Sequence, residues 1–354
     1  MTTQNHHRLL SICVPTHDGR REELRHLLRA TLAQLSGELG DRVQICVSDN
    51  ASEDGTETLL RELAAERPGV LVHHRQATDV GAERNIFSAV ELADGEYCWM
   101  MSSDDAPAPG AVARVVSLLD RERPAGGVTL DWTTWDRDMR AIAVHHPDEI
   151  KPTEPISAAR YRTYSDVLAN LGLLFGYMSI HVFRAAAWRA AIDRRSEVWL
   201  RSSPMFAHVY VLGAIASITE DWLWVPIEAV NARVNKNEWG ATRPASSYHA
   251  RSTCDIARVW RQLVGARSDV YKTLLRRWYH HCATPQHVMY YKQDPLHTIK
   301  WDLCLLGAMV RTLMPDSEFR RHTFPLLLLP APLIRRSPSL RARLGAWPDM
   351  WSGG

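Results

Sequence analysis

Two adjacent carboxylates, Asp104 and Asp105, close an apolar run in the stretch EYCWMMSSDDAPAPG, Glu96 to Gly110. Like charges this close repel, and withdrawing either from water raises its pKa unless something positive sits opposite. One chemistry that fits is a divalent cation, because hard oxygen ligands suit Mg²⁺ or Mn²⁺. A plainer fit is a solvated loop with a helix N-cap, since the PAPGAV that follows reads as a helix start. Other polar clusters stand at comparable places: PTHDGR follows LLSICV, and DNASEDGT follows the run ending in VS. Asp49 heads the second of these clusters, where Asp also serves as a turn or capping residue.

The elements that must position these residues follow from periodicity. LLSICV, VQICVSD, VLVHHR and EYCWMM are short apolar runs of strand length. Between them lie helical patterns: a stripe at Leu24, Leu27, Leu28, Leu32 and Leu35, then TETLLRELAAERPG, GAERNIFSAVELADG and, after the fourth run, PGAVARVVSLLDRE. Strands alternating with helices imply a mostly parallel, doubly wound α/β sheet flanked by helices. Ligands of such sheets sit beyond the carboxyl ends of the strands, which is where the polar clusters fall. From about residue 127 the pattern changes. GVTLDWTTWDRDMRAIAV reads as strands joined by a polar turn, LFGYMSIHVF as a buried strand, FAHVYVLGAIAS as a helix and ITEDWLWVPIEAV as a further strand region. Beyond residue 250 the sequence is helical and rich in Trp, Tyr and Arg.

Composition removes several classes. The chain has 354 residues, with Lys+Arg at 42 against Asp+Glu at 40, so bulk charge gives no argument for nucleic acid. Cys13, Cys46 and Cys98 lie inside apolar runs, and no C-x-x-C pair is present, which argues against zinc and a disulfide framework and for a reducing cytoplasm. MTTQNHHRLL lacks the apolar segment of a secretory signal, and no run reaches the roughly 18 apolar residues of a spanning helix. No G-x-G-x-x-G follows a strand, which excludes the usual dehydrogenase fingerprint. A nucleotidylyltransferase would want a G-x-G-T-R loop where this chain has PTHDGR.

Taken in order, VPTHDGR, VSDNASEDGT, GAERN and MMSSDDAPAPGAV resemble the nucleotide-sugar-binding half of a family-2 glycosyltransferase of the GT-A fold. The likeness is strong over residues 9–120 and looser over 165–240. It implies a donor half at 1–126, an acceptor-binding, catalytic half at 127–245 and a helical C-terminal region at 246–354. It implies an inverting, metal-dependent transfer of a hexosyl or deoxyhexosyl group from a nucleotide diphospho-sugar. UDP and dTDP donors suit an Asp that accepts from a pyrimidine imide. By the same resemblance Pro15, Thr16 and Asp18 line the base, and Asp49 accepts from base or ribose. Arg84, in the first turn of its helix, joins the helix amides on the diphosphate; its plainer role is a surface pair with Glu83 or Asp79.

The same resemblance makes Asp105 the first metal ligand, with Asp104 assisting or holding ribose or sugar hydroxyls, although Ser102 and Ser103 replace the commoner leading acid. Ser179 falls on a small-residue strand beside the donor sugar, and Arg233 on a segment that folds over the donor. Asp131 and Trp132 line the acceptor pocket, or belong to the core, as most of 13 Trp must. Two residues compete for the catalytic base. His208 occupies the expected position, though a lone His on a helix often just packs; Asp221, in TED, lies just before the strand WLWVP. Saccharides, lipid-linked glycans and natural-product aglycones all qualify as acceptors. The tail FPLLLLPAPLIRRSPSLRARLGAW joins an apolar patch to four arginines, which suits either a docked C-terminal helix or peripheral contact with the inner face of the membrane. A homodimer stays open, as does a non-catalytic sugar-nucleotide binder on a degenerate scaffold.

Overall fold

The computed structural model describes residues 8–136, 158–192, 205–233, 245–294 and 297–336. Its chain divides into two compact units. The first holds Met1–Ala141, Glu154–Val167 and Leu174–Arg233; the second holds Ile142–Thr153, Leu168–Leu173 and Val234–Gly354.

Unit 1 is built on nine described strands: β1 Leu10–Thr16, β2 Val43–Asp49, β3 Leu71–Arg75, β4 Tyr97–Met100, β5 Ala106–Pro107, β6 Gly127–Trp135, β7 Ala159–Tyr161, β8 His181–Arg184 and β9 Trp222–Arg233. They form one sheet in the order β3-β2-β1-β4-β8-β6-β9-β5, with β7 paired to β9. β1, β2, β3, β4, β6 and β9 share one direction, while β5, β7 and β8 oppose it, so the sheet is mostly parallel. The helices in chain order are α1 Arg21–Leu32, α2 Glu38–Arg42, α3 Thr56–Glu66, α4 Ala82–Glu91, α5 Ala111–Glu122, α6 Tyr164–Leu171, α7 Ala185–Ala191 and α8 Ala207–Thr219.

The first four strands show why the sequence folds this way. Every residue of β2 and β4 is buried, as the apolar runs require of strands covered on both faces. α1 lays Leu24, Leu27, Leu28, Thr31 and Leu32 into the core, a stripe with helical period. The chain runs β1 to β2 to β3 outward on one side of β1, then crosses through α4 to place β4 on the other side. Crossovers thus leave β1 in opposite senses, and such a switch point opens a crevice at the strands' carboxyl ends.

One expectation needs correction, and a second is met only over its described part. LFGYMSIHVF is not one strand: Leu174–Gly176 and Met178–Ile180 are single 3₁₀ turns, and only His181–Arg184 is extended. The turns bury Leu174, Phe175, Ser179 and Ile180 as thoroughly as a strand would, so the apolar pattern does not separate the two. Of GVTLDWTTWDRDMRAIAV, Gly127–Trp135 is a single strand with a bulge at Asp131, and the remainder from residue 137 lies outside the described residues.

Unit 2 is helical in its described residues: α9 Ala245–Val264, α10 Asp269–Cys282, α11 Pro285–Gln293, α12 Ile299–Leu313, α13 Phe324–Leu327 and α14 Ala331–Arg336. No described helix is long and apolar enough to cross a membrane. The basic part of the tail from residue 337 lies outside the described residues.

Candidate functional site

The polar residues after β1, β2 and β4 converge at the switch point. The turn after β1 is shaped by Gly19, whose φ of +81° is a left-handed conformation that glycine adopts without a Cβ penalty. Asp18 Oδ1 accepts from Glu53 N at 2.9 Å, and Asp54 Oδ2 accepts from Gly19 N at 2.9 Å. Asp18 therefore ties its own turn to the DNASEDGT loop. Pro15 and Thr16 end β1, and the buried Thr16 Oγ1 has no hydrogen-bond partner among the described residues.

Asp49 ends β2 and is fully buried. Its Oδ1 accepts from Ser52 N at 3.2 Å and from the Ser52 hydroxyl. Its Oδ2 makes no hydrogen bond and lies 3.6 Å from Arg75 Nε, a residue that the sequence reading passed over. Asn85 lies in the GAERN motif. Buried in α4, it donates to Thr16 O at 2.8 Å and Ser48 O at 3.1 Å, and its Oδ1 accepts from the Ser48 hydroxyl at 2.7 Å. That side chain knits the carboxyl ends of β1 and β2 to the start of α4. One residue earlier Arg84 is exposed and makes no ion pair among the described residues, neither with Glu83 nor with Asp79.

After β4, Asp104 and Asp105 sit in different surroundings. Arg20, just ahead of α1, places its Nη1 2.7 Å from Asp104 Oδ2, and the Ser102 hydroxyl donates to Asp104 Oδ1. Burial alone would raise the pKa of Asp104; the Arg20 guanidinium and the Ser102 hydroxyl outweigh it and hold the group below the usual carboxylate range. Asp105 accepts from the Ser179 hydroxyl at 2.5 Å and from Arg233 N at 2.9 Å. Those bonds do not compensate for burial and the neighbouring Asp104 charge, which together push Asp105 up to about 7.

The second half of the unit closes around this pair. Ser179 also accepts from Ser102 N at 2.9 Å, and Trp99 Nε1 donates to Ser179 O at 2.8 Å, so the 3₁₀ turn is clasped to the end of β4. Ser179 thus stands in a turn rather than on a strand. Arg233 ends β9, and its Nε donates to Asp104 O at 3.0 Å. The segment following it lies outside the described residues. Asp131 sits at the β6 bulge, and Trp132 is buried and stacks on Tyr177 with ring centroids 5.3 Å apart.

The two candidate bases are at different places. His208 lies in the first turn of α8, buried, with Nδ1 3.8 Å from Glu83 Oε2. Asp221 immediately precedes β9, the strand whose far end delivers Arg233 to Asp105. At roughly 3.3 Å per residue the strand separates those ends by on the order of 35 Å. Asp221 is also fully engaged: Arg160 Nε and Nη2 reach its two oxygens at 2.7 and 2.8 Å, and Ala125 N donates to it at 2.8 Å. That carboxylate clamps β7 to β9 and is not gathered with the others.

The arrangement can hold a cation. Asp104 and Asp105 are adjacent carboxylates, and a carboxylate oxygen can accept more than one bond. Among the described residues no third His, Cys, Asp or Glu completes a cluster. Hard oxygen donors in that number suit an ion that takes its remaining ligands from phosphate oxygens and water.

Comparison with known proteins bears on the family and the fold. The family model Glycosyl transferase family 2 matches residues 11–175. The abequosyltransferase RfbV of Salmonella typhimurium is 28% identical over 211 residues, covering 58% of this chain and 61% of that protein, so the likeness spans about three fifths of its length. Among solved structures, Staphylococcus aureus TarS residues 1–349 with UDP-GlcNAc is similar at a TM-score of 0.60 and 14% identity, covering 92% of this chain and 88% of that one. The mannosyltransferase PcManGT of Pyrobaculum calidifontis, with GDP-Man and Mn²⁺, is similar at a TM-score of 0.50 and 15% identity, covering 94% and 88%. With its GT-A sheet and the four ordered motifs at the carboxyl ends of that sheet, the chain has the GT-A fold and is similar over residues 11–175 to glycosyl transferase family 2.

Proposed function

We propose that the chain moves a sugar from a UDP- or dTDP-linked donor to an acceptor hydroxyl of a saccharide, a lipid-linked glycan or a natural product, with inversion at the anomeric carbon. The observation that carries the reading is Asp105, a carboxylate held near neutrality beside a second carboxylate at the switch point. Among the described residues Arg20 faces Asp104 while Asp105 meets only the hydrogen-bond donors Ser179 and Arg233 N, and a Mg²⁺ or Mn²⁺ ion with the donor diphosphate would add positive charge there. When bound, the ion supplies charge to offset the departing nucleoside diphosphate. The similar structures hold UDP-GlcNAc, and GDP-Man with Mn²⁺, which supports a nucleotide-sugar partner of this kind.

The chain's own residues divide the remaining work. Asp105 and Asp104 hold the cation, and Arg20 keeps Asp104 ionised. Pro15, Thr16 and Asp18 border the base, with Thr16 Oγ1, which makes no hydrogen bond among the described residues, and the Asp49 carboxylate as its polar contacts. Arg84 and the first amides of α4 take diphosphate oxygens, as cation and helix terminus do elsewhere. Ser179 and Arg233 fix Asp105 and border the donor sugar. His208 removes the acceptor proton, in preference to the clamped Asp221.

Incubation with UDP- and dTDP-sugars plus Mn²⁺ tests the reading. Release of free sugar, abolished by EDTA, and transfer to an acceptor with inverted configuration by NMR are expected. Nucleotide binding without any donor turnover would instead identify a non-catalytic binder.

A further inference from the structure

Glu83 does two things at the start of α4. Its Oε1 accepts from Phe206 N at 3.0 Å across 123 residues of sequence. Its Oε2 lies 3.8 Å from His208 Nδ1, too far for a hydrogen bond, and has no other partner among the described residues. Neither ring nitrogen of His208 has a hydrogen-bond partner there, although the residue is only 7% exposed. Buried polar groups are normally satisfied, because each orphan costs about 1–3 kcal/mol. Three such atoms in one place call for an explanation.

The backbone around them is also held out of its relaxed shape. Phe206 has φ +73°, left-handed geometry that a bulky residue avoids, and it sits immediately before α8. The Glu83 bond to Phe206 N anchors that residue, so Glu83 sets how α8 begins and where His208 points. Asn85, two residues on, fastens the same turn of α4 to the carboxyl ends of β1 and β2. Glu83 and His208 therefore stand at the donor end of the sheet.

We propose that Glu83 is the positioning residue of the proton-accepting group: its Oε2 holds the Nδ1–H of His208, leaving Nε2 to take the acceptor proton. This rests on His208 being the base. In the step, the acceptor O–H bond breaks and its proton passes to Nε2. The oxygen electron pair forms the new bond to the anomeric carbon, and the old anomeric C–O bond leaves with its electrons on the nucleoside diphosphate. The resulting imidazolium faces a carboxylate. A gap of 3.8 Å is small enough to close to hydrogen-bond distance in the reacting complex.

Among the described residues, Arg189, Arg84 and His181 near α8 do not duplicate Glu83. His181 of β8 is kept neutral, pushed down to about 3 by burial and also lowered by His208. Arg189 of α7 and Arg84 of α4 are exposed, and Leu174–Gly176 carries no ionisable group.

Glu83→Gln separates the two duties, because the amide oxygen can still accept from Phe206 N while the charge is gone. Expected are a fall in kcat of about 10–100-fold, a donor KM within twofold, and an acid limb of the kcat/KM profile displaced to lower pH. In a His208→Gln background the same change should cost nothing further, while Glu83→Asp should restore part of the rate. Calorimetric nucleotide binding checks that each variant is folded. If His208→Gln keeps full activity, the base assignment fails. If His208→Gln is inactive but Glu83→Gln keeps the wild-type rate and pH profile, or if its cost persists in the double variant, the role given to Glu83 is overturned.

Discussion

Two charge clusters, one in each unit, are built on opposite principles. In unit 2 the Lys292 ammonium, fully buried, donates to Leu327 O at 3.0 Å and Leu329 O at 2.5 Å and pairs with Asp302 Oδ1 at 2.8 Å. Asp302 also meets His297 Nε2 at 2.9 Å and accepts from Ala331 N at 2.9 Å. Burial would raise the pKa of Asp302, but these bonds hold it below its ordinary value. The cluster is closed: charge is matched and both carboxylate oxygens are engaged. In unit 1, Arg20 satisfies Asp104, and Asp105 is left near neutrality beside it. Ion pairs that serve folding are completed by the protein itself. An incomplete one at a switch point is better explained by a ligand that completes it.

Substitution is the strongest way to break the comparison. Asp105→Ala should lower donor turnover by at least about a thousandfold, roughly 4 kcal/mol of transition-state stabilisation, without unfolding the chain; loss of the fold instead would make Asp105 a structural residue. Lys292→Ala should leave nucleotide binding intact and cost about 3–5 kcal/mol in urea denaturation, because Asp302 would remain buried without its cation. An unchanged midpoint would show that the closed cluster is not what holds the Leu327–Ala331 segment.

Acid should act on unit 2 through its histidines. Burial depresses His281 and His287 to about 4. The unfolded chain, titrating near 6.5, then binds protons first as pH falls, so stability is present above 6.5 and lost between about 6.5 and 4. At pH 5 the loss is about 2 kcal/mol per histidine at most, and His281→Phe should flatten the curve. The smallest effect has the opposite sign. Asp105 has its folded pKa raised, so its contribution is lost as pH rises from about 4 to about 7. Asp105→Asn should therefore stabilise the metal-free protein at pH 8 by about 1–2 kcal/mol, after discounting for solvent at the half-buried site. A destabilised variant would mean that the ion pair with Arg20 already balances both carboxylates.

How much of this was legible in the sequence depends on how far apart the partners lie. β1 to β4 and their helices follow from local periodicity, and Asp49, Asp104 and Asp105 stand out because they end apolar runs. Arg20 reads locally as an ordinary residue before a helix, yet its partner is Asp104. Glu83 reads as a helix first-turn acid, and only the fold brings Phe206 and His208 to it. Ser179 was expected beside the donor but on a strand, because two 3₁₀ turns bury the same residues that a strand would. Asp221 looked chemical in TED, while its Arg160 clamp is a tertiary pairing that no spacing shows.

The central claim is that Asp105 completes a donor site with a divalent cation. Calorimetric titration of UDP, dTDP and GDP, each with Mn²⁺ and then with EDTA, into wild type and Asp105→Ala tests it most directly. The account predicts tight binding of UDP or dTDP that is lost with EDTA and lost in the variant. Equally tight binding in EDTA and in Asp105→Ala would contradict it, and would make the SSDD carboxylates a helix cap.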